Sequence, residues 1–171
     1  MSPQSEIMMF TRALFAFIVL PGVAAGIIPP VIAYFDPWRG AVWVPGLAVM
    51  LVGAFLLIWC VRDFYVSGKG TLAPWDPPRK MVTVGLYRFV RNPMYIGVLL
   101  LVLGWSLYLS SVMLAAYMLV LAVGFHIRVI RYEEPWMAAQ FGEEWETYSV
   151  SISRWLPRFK PWKDDSQETV R

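Results

Sequence analysis

The 171-residue chain is poor in the groups that usually build soluble catalytic sites: it has one cysteine, one histidine and only 16% charged residues. The single Cys60 excludes an intrachain disulfide and any cysteine-cluster metal site. His126 stands alone, so no metal-ligand constellation is present and no metal is expected. The net charge is only +3, and no basic stripe points to a nucleic-acid partner. Internal repeats and low-complexity segments are absent too.

Apolar sequence is abundant instead. Hydrophobic residues make up 58% of the chain and the mean hydropathy is +0.53, too apolar for a soluble domain of this length. Nine Trp and eight Tyr suit a protein with two lipid–water interfaces. Four apolar segments are expected to cross the bilayer. The first runs from about Ala13 to Ala33 and is broken at Pro21-Gly22 and Pro29-Pro30. The second runs from Val42 to Val61, the third from Pro93 to Leu109, and the fourth from Val112 to Ile127. A span needs about 20 residues, so the last two are short, and with only Ser110-Ser111 between them they read as a tight hairpin. The first segment lacks a basic leader and is expected to be retained rather than cleaved.

Basic residues orient these segments. Arg12 lies at the first and Arg39 in the first loop, six lie between the second and third, none in the hairpin turn, and seven after the fourth. The positive-inside rule then places both termini and the long loop in the cytoplasm, in the cell membrane.

Polar residues gather at the cytoplasmic mouth of the hairpin. In "LYRFVRNPMYIG", Pro93 fits the first helical turn and Asn92 the N-cap, its side-chain oxygen available to a backbone donor. Taken alone, the stretch reads as a capped helix with Arg88 and Arg91 on lipid phosphates; an anion site is the sharper reading. After the fourth segment, "HIRVIRYEEPW" sets Arg128, Arg131 and Glu134 at i, i+3 spacing beside Glu133. This too reads first as a solvated ion-pair network. His126 reads as a hydrogen-bonded interhelical residue before it reads as a base. Farther on, Trp136, Phe141, Trp145 and Tyr148 mark an amphipathic C-terminal helix lying on the membrane or packed on the hairpin. The hairpin brings the Asn92 and Glu134 ends side by side, a pocket suited to a zwitterion carrying extra positive charge.

The ordered set Gly85-x-Tyr87, Arg91-Asn92-Pro93-x-Tyr95-x-Gly97, Glu133-Glu134, Phe141-Gly142-x-x-Trp145-x-x-Tyr148 and Arg154-x-x-Pro157 resembles the isoprenylcysteine carboxyl methyltransferase superfamily. That superfamily also takes in phospholipid N-methyltransferases, and the likeness covers about residues 68–160. It implies an all-α integral membrane enzyme using S-adenosylmethionine on a lipid or amphiphilic acceptor. It also implies that Lys80, Met81 and Val82 offer backbone to the cofactor. Tyr87, Asn92, Pro93, Met94 and Tyr95 would line its pocket, with Glu134, expected at an exposed edge, completing it. An arginine before the Glu pair would hold the acceptor; the spacing here departs from the pattern, and Arg128 and Arg131 compete for that role. Glu133 or His126 would serve as base for an amine acceptor. A sterol-reductase-like nicotinamide enzyme is the remote alternative. The chain divides into a two-helix membrane region (1–64), a methyltransferase core (65–162) and a polar tail (163–171).

Overall fold

The structure is a computed structural model and describes residues 18–68 and 80–163. The start of the first apolar segment, the loop 69–79 and nearly all of the polar tail lie outside the described residues. The regular secondary structure of the described residues is all helical, with no strand among them.

Prolines shape the first helix without breaking it. A wide, π-helical stretch, Ile18–Ile27, runs directly into α1, Ile28–Phe35, whose first turn holds Pro29 and Pro30. In an i→i+5 register the carbonyls of Ala24 and Ala25 look to residues 29 and 30, and both prolines lack an N–H. Other side chains fill the gap: Tyr117 Oη donates to the Ala24 carbonyl and Trp105 Nε1 to that of Ala25, each at 3.0 Å. The expected breaks therefore become a continuous wide helix whose orphaned carbonyls are satisfied from neighbouring helices, as an apolar surrounding requires.

The centre of the fold is a pair of antiparallel helices, α2 (Pro45–Asp63) and α3 (Pro93–Tyr108). Each carries two glycines seven residues apart on the facing side, Gly46 and Gly53 against Gly104 and Gly97. A Cβ on Gly46 would lie 2.4 Å from the Tyr108 nitrogen, and one on Gly53 2.7 Å from the Leu101 nitrogen. The two backbones thus touch, a packing mode that gives close van der Waals contact where no hydrophobic drive acts between helices. Leu57, Val98 and Val102 continue the seam, and Leu121 and Phe125 of the next helix close over it.

That next helix, α4 (Val112–Arg128), follows a turn at Leu109–Ser111 in which Ser110 takes φ +47°. Ser111 caps α4 through Leu114 N (3.2 Å). The buried Asp36 receives the Ser111 hydroxyl, the Met113 N–H (3.4 Å) and the Trp38 N–H (2.9 Å), tying the first loop to the hairpin. Beyond Arg128 the helix continues through a π turn, Val129–Glu133, into α5 (Glu134–Phe141). Gly142 (φ +49°) then separates α5 from α6, Glu143–Ser151.

Among the described residues two helices are long and apolar enough to cross a membrane, Pro45–Asp63 and Val112–Phe141, rather than the four expected; Pro21–Phe35 and Pro93–Tyr108 are shorter apolar helices. Only α3 of the hairpin is short, about 24 Å long at 1.5 Å per residue, because the helix begun by α4 runs for 30 residues. Leu51, Phe55, Ile58, Leu119, Val120 and Val123 stand exposed, an apolar outer surface of the kind lipid covers.

Two outcomes follow. Gly53→Val should lower stability in detergent thermal unfolding by about 1–3 kcal/mol or more, whereas Gly124→Ala, with nothing within 4 Å of the new methyl, should be neutral or slightly stabilising. Asp36, held below the usual carboxylate range chiefly by the Ser111 hydroxyl, stabilises the fold fully above about pH 3.9. That contribution is lost as pH falls through its lowered value. An acid titration of Asp36→Asn should therefore lack part of the wild-type transition.

Candidate functional site

The segment leading into α3 is irregular but anchored by its side chains. Met81 is buried with Trp145, Tyr148 and Ile152, and Val82 with Cys60 and Tyr87. Their backbone groups make none of the backbone–backbone hydrogen bonds among the described residues. Lys80 is exposed. Gly85 opens a 3-10 turn, Gly85–Arg88, with φ +55°; a Cβ there would lie 1.9 Å from Asp63 Oδ2, so only glycine fits. Tyr148 Oη donates to the Tyr87 carbonyl at 2.7 Å, fastening α6 to this turn. Burial pushes both phenols well above their usual range, so both stay protonated.

After α6 an extended strap, residues 153–162, returns along residues 88–92. Arg91 N donates to Ser153 O (3.0 Å), Arg158 N to Phe89 O (3.0 Å) and Trp162 N to Arg88 O (2.9 Å). Arg88 Nε donates to Trp162 O at 2.7 Å. Asn92 is indeed the N-cap of α3, but its side chain does not cap; its Nδ2 donates to Arg154 O at 3.2 Å. The strap outcompetes the helix end for that amide.

Two charge clusters lie where α3 begins and α4 ends, built on the adjacent carboxylates of Glu133 and Glu134. In the first, Glu134 accepts from Arg91 Nη1 (2.9 Å) and, in a two-point grip, from Arg154 Nε (2.6 Å) and Nη2 (2.8 Å). The two guanidiniums respond in opposite directions. Burial pulls Arg91 below its usual range, while the hydrogen bond to Glu134 raises the more exposed Arg154. Arg91 Nε has no hydrogen-bond partner among the described residues, and the guanidinium lies over the Trp145 ring, 5.7 Å from its centre. Two cations thus share one anion, leaving a surplus positive charge in a half-buried place. In the second cluster Glu133 Oε1 receives the Tyr95 hydroxyl and Arg128 Nε (2.8 Å), while Arg128 Nε also reaches Tyr95 Oη at 3.0 Å. Tyr95 stacks on Phe125, with ring centres 4.4 Å apart.

The π turn decides which residues enter these clusters. Pro135 cannot donate back into the helix, and the turn before it widens until the Glu134 N–H reaches the Val129 carbonyl, an i→i+5 bond. Side chains five apart then align, so Arg128 meets Glu133. The expected pairing of Arg131 with Glu134 does not form: Arg131 is exposed and takes part in none of the ion pairs among the described residues. His126 is exposed and bonded not between helices but to the strap, its Nδ1 accepting from Trp155 Nε1 at 3.1 Å. Pro93 is buried at the start of α3, and Met94 packs against the Tyr87 cluster. Glu134 is no exposed edge. Arg154 is the site residue that sequence reasoning passed over, and its signal was the Arg-x-x-Pro end of the motif series.

Glu134→Gln should accordingly destabilise the protein by an amount between the about 1 kcal/mol of a surface pair and the about 3–5 kcal/mol of a buried one. Arg154→Gln should cost less, because its side chain is 39% exposed against 17% for Glu134 and its loss leaves the Arg91–Glu134 pair in place. Thermal unfolding, with limited proteolysis of the strap, measures both.

The chain's relatives bear on this site. The family described as phospholipid methyltransferase matches residues 42–144, which hold Arg91, Tyr95, Glu133 and Glu134. Two rice proteins (Oryza sativa subsp. indica and subsp. japonica), each named "Probable protein-S-isoprenylcysteine O-methyltransferase", are 29% identical over 83 residues. The matched stretch is 48% of this chain and 44% of each relative, so it spans less than half of those proteins. No solved structure matches the chain. With more than half its length matched, the chain belongs to the phospholipid methyltransferase family.

Proposed function

We propose that this chain is an integral membrane, S-adenosylmethionine-dependent methyltransferase acting on a lipid or amphiphilic acceptor at the cytoplasmic face. One observation carries the reading: the Arg91–Glu134–Arg154 and Tyr95–Glu133–Arg128 clusters meet at the end of adjacent apolar helices. Four crossings with both termini cytoplasmic accord with it, since α3, though short, is bound to α2 backbone to backbone and would cross as its partner. Residues 65–162 would form the methyltransferase core.

The donor set suits the cofactor. The surplus charge of Arg91 and Arg154, with Arg91 Nε unpartnered, would hold a carboxylate. Glu134, and Glu133 with Tyr95, would face an ammonium or ribose hydroxyls. The peptide groups at Met81 and Val82, free of backbone–backbone bonds among the described residues, would take further polar edges, while Tyr87, Asn92, Pro93 and Met94 would form the wall. When bound, S-adenosylmethionine supplies a methyl group already activated on a sulfonium. The protein's work is then to position the acceptor and keep water away. Arg128, with Arg131 farther out, would orient an acceptor carboxylate, which needs no base. An amine acceptor must lose a proton, and Glu133 Oε1, between Tyr95 and Arg128, would receive it.

Radiolabelled methyl donor, the protein in detergent and a lipid extract test this. Label should enter the lipid fraction, and alkali should release it as volatile methanol from an ester but leave it bound in an N-methylated product. With an amine acceptor, Glu133→Gln should lower kcat/KM by about 10²–10⁴-fold; with a carboxylate it should lower it far less. Absence of transfer, together with binding of NADPH and not of S-adenosylhomocysteine, would refute the reading in favour of a reductase.

A further inference from the structure

The strap has an inner and an outer face. Its inner face supplies Arg154 to Glu134, Trp155 to His126 and backbone bonds to residues 88–92. On the outer face Leu156 is 76% exposed and Phe159 103%, and Arg158, Lys160 and Lys163 are exposed around them. Apolar and basic residues alternate there, a composition that water does not favour and an anionic lipid surface does.

Depth places this face at the lipid boundary. Pro157 lines an apolar cleft of about 310 Å³ together with Phe89, Leu56 of α2 and Ile96 of α3. Leu56 lies seven residues inside the end of α2 at Asp63, about 10 Å along the axis. The strap therefore crosses the helix ends against their apolar flank, and Leu156 and Phe159, on either side of Pro157 and its neighbour, stand at that margin.

We propose that the outer face of the strap, Leu156 and Phe159 with Lys160 and Lys163, docks on the anionic headgroup layer of the adjoining leaflet and thereby steadies Arg154 on Glu134. The strap has no regular secondary structure and is held by a few isolated bonds, so ordering it is a cost that docking shares. Anionic lipid would thus raise the affinity of the charge cluster for its ligand. This coupling rests on the S-adenosylmethionine reading; the docking itself does not.

The full chain is placed in nanodiscs of phosphatidylcholine, alone or with phosphatidylglycerol added. Phe159→Cys carries a spin label, and the native Cys60, 0% exposed, stays unlabelled. Because the Phe159 side chain packs on nothing, the substitution leaves the fold intact. In anionic discs the label should be reached by oxygen dissolved in the lipid rather than by a water-soluble relaxant. Unlabelled protein should bind S-adenosylhomocysteine more tightly there than in neutral discs, by up to about fivefold for each lysine engaged. Lys160→Gln with Lys163→Gln should erase that difference. A label exposed to water in both discs overturns the docking. A lipid-buried label with equal affinity in the two discs overturns the coupling. Failure to bind S-adenosylhomocysteine in any disc counts instead against the methyltransferase reading, and label depth still decides the docking.

Discussion

A single carboxylate, that of Glu134, holds together parts of the chain that are far apart in sequence. Arg91 lies 43 residues before it and Arg154 20 residues after it, and both bind it within 3 Å. Removing Glu134 leaves two guanidiniums without their shared anion in a place where water reaches only partly, whereas removing either arginine leaves a single ion pair. The geometry of the mouth follows from this ion triplet: α3 begins beside Arg91, α5 begins with Glu134, and the strap is fixed on both by Arg154. Its surplus cation also sets the local polarity, since two guanidiniums on one carboxylate leave a net positive charge there.

The frame beneath the triplet obeys a different constraint. Where the surroundings are apolar on every side, helices gain little from burying more apolar side chains, and close backbone contact does the packing. Glycines at seven-residue spacing on α2 and α3 provide that contact. Backbone carbonyls, for their part, must find donors inside the protein. The two prolines of α1 remove such donors, and Trp105 and Tyr117 restore them from α3 and α4. Packing and hydrogen-bond satisfaction thus bind the first helix to the hairpin by polar contacts as well as apolar ones.

Much of this was legible in the sequence, and the unread parts have physical reasons. Pro93 at a helix start and Ser110-Ser111 as a hairpin turn could be read because each acts through local backbone chemistry. The apolar runs announce the helices, but Pro29-Pro30 and Pro135, whose local chemistry signals a break, are each preceded by a wide turn that keeps the helix going. That one-residue change of register separates Arg128, which joins Glu133, from Arg131, which does not. Gly46, Gly53, Gly97 and Gly104 carry no meaning until α2 and α3 are known to be neighbours. Asn92 and Arg154 depended on the strap, whose return along residues 88–92 rests on isolated bonds that no local pattern announces. The motif series contains Arg91, Tyr95, Glu133, Glu134 and Arg154, which the fold gathers into the two clusters; it does not announce that Arg154 grips Glu134.

The order in which the triplet is assembled has a consequence for biosynthesis. The glycine-seamed pair α2 and α3 is complete once the ribosome has passed Tyr108, and the hairpin once it has passed Arg128. Arg154 emerges last. The nascent chain therefore holds the helices of the frame before it holds the whole charge cluster, and Arg91 and Glu134 are both made before their third member. Completion of the cluster thus waits on a segment made after the hairpin and not itself a helix.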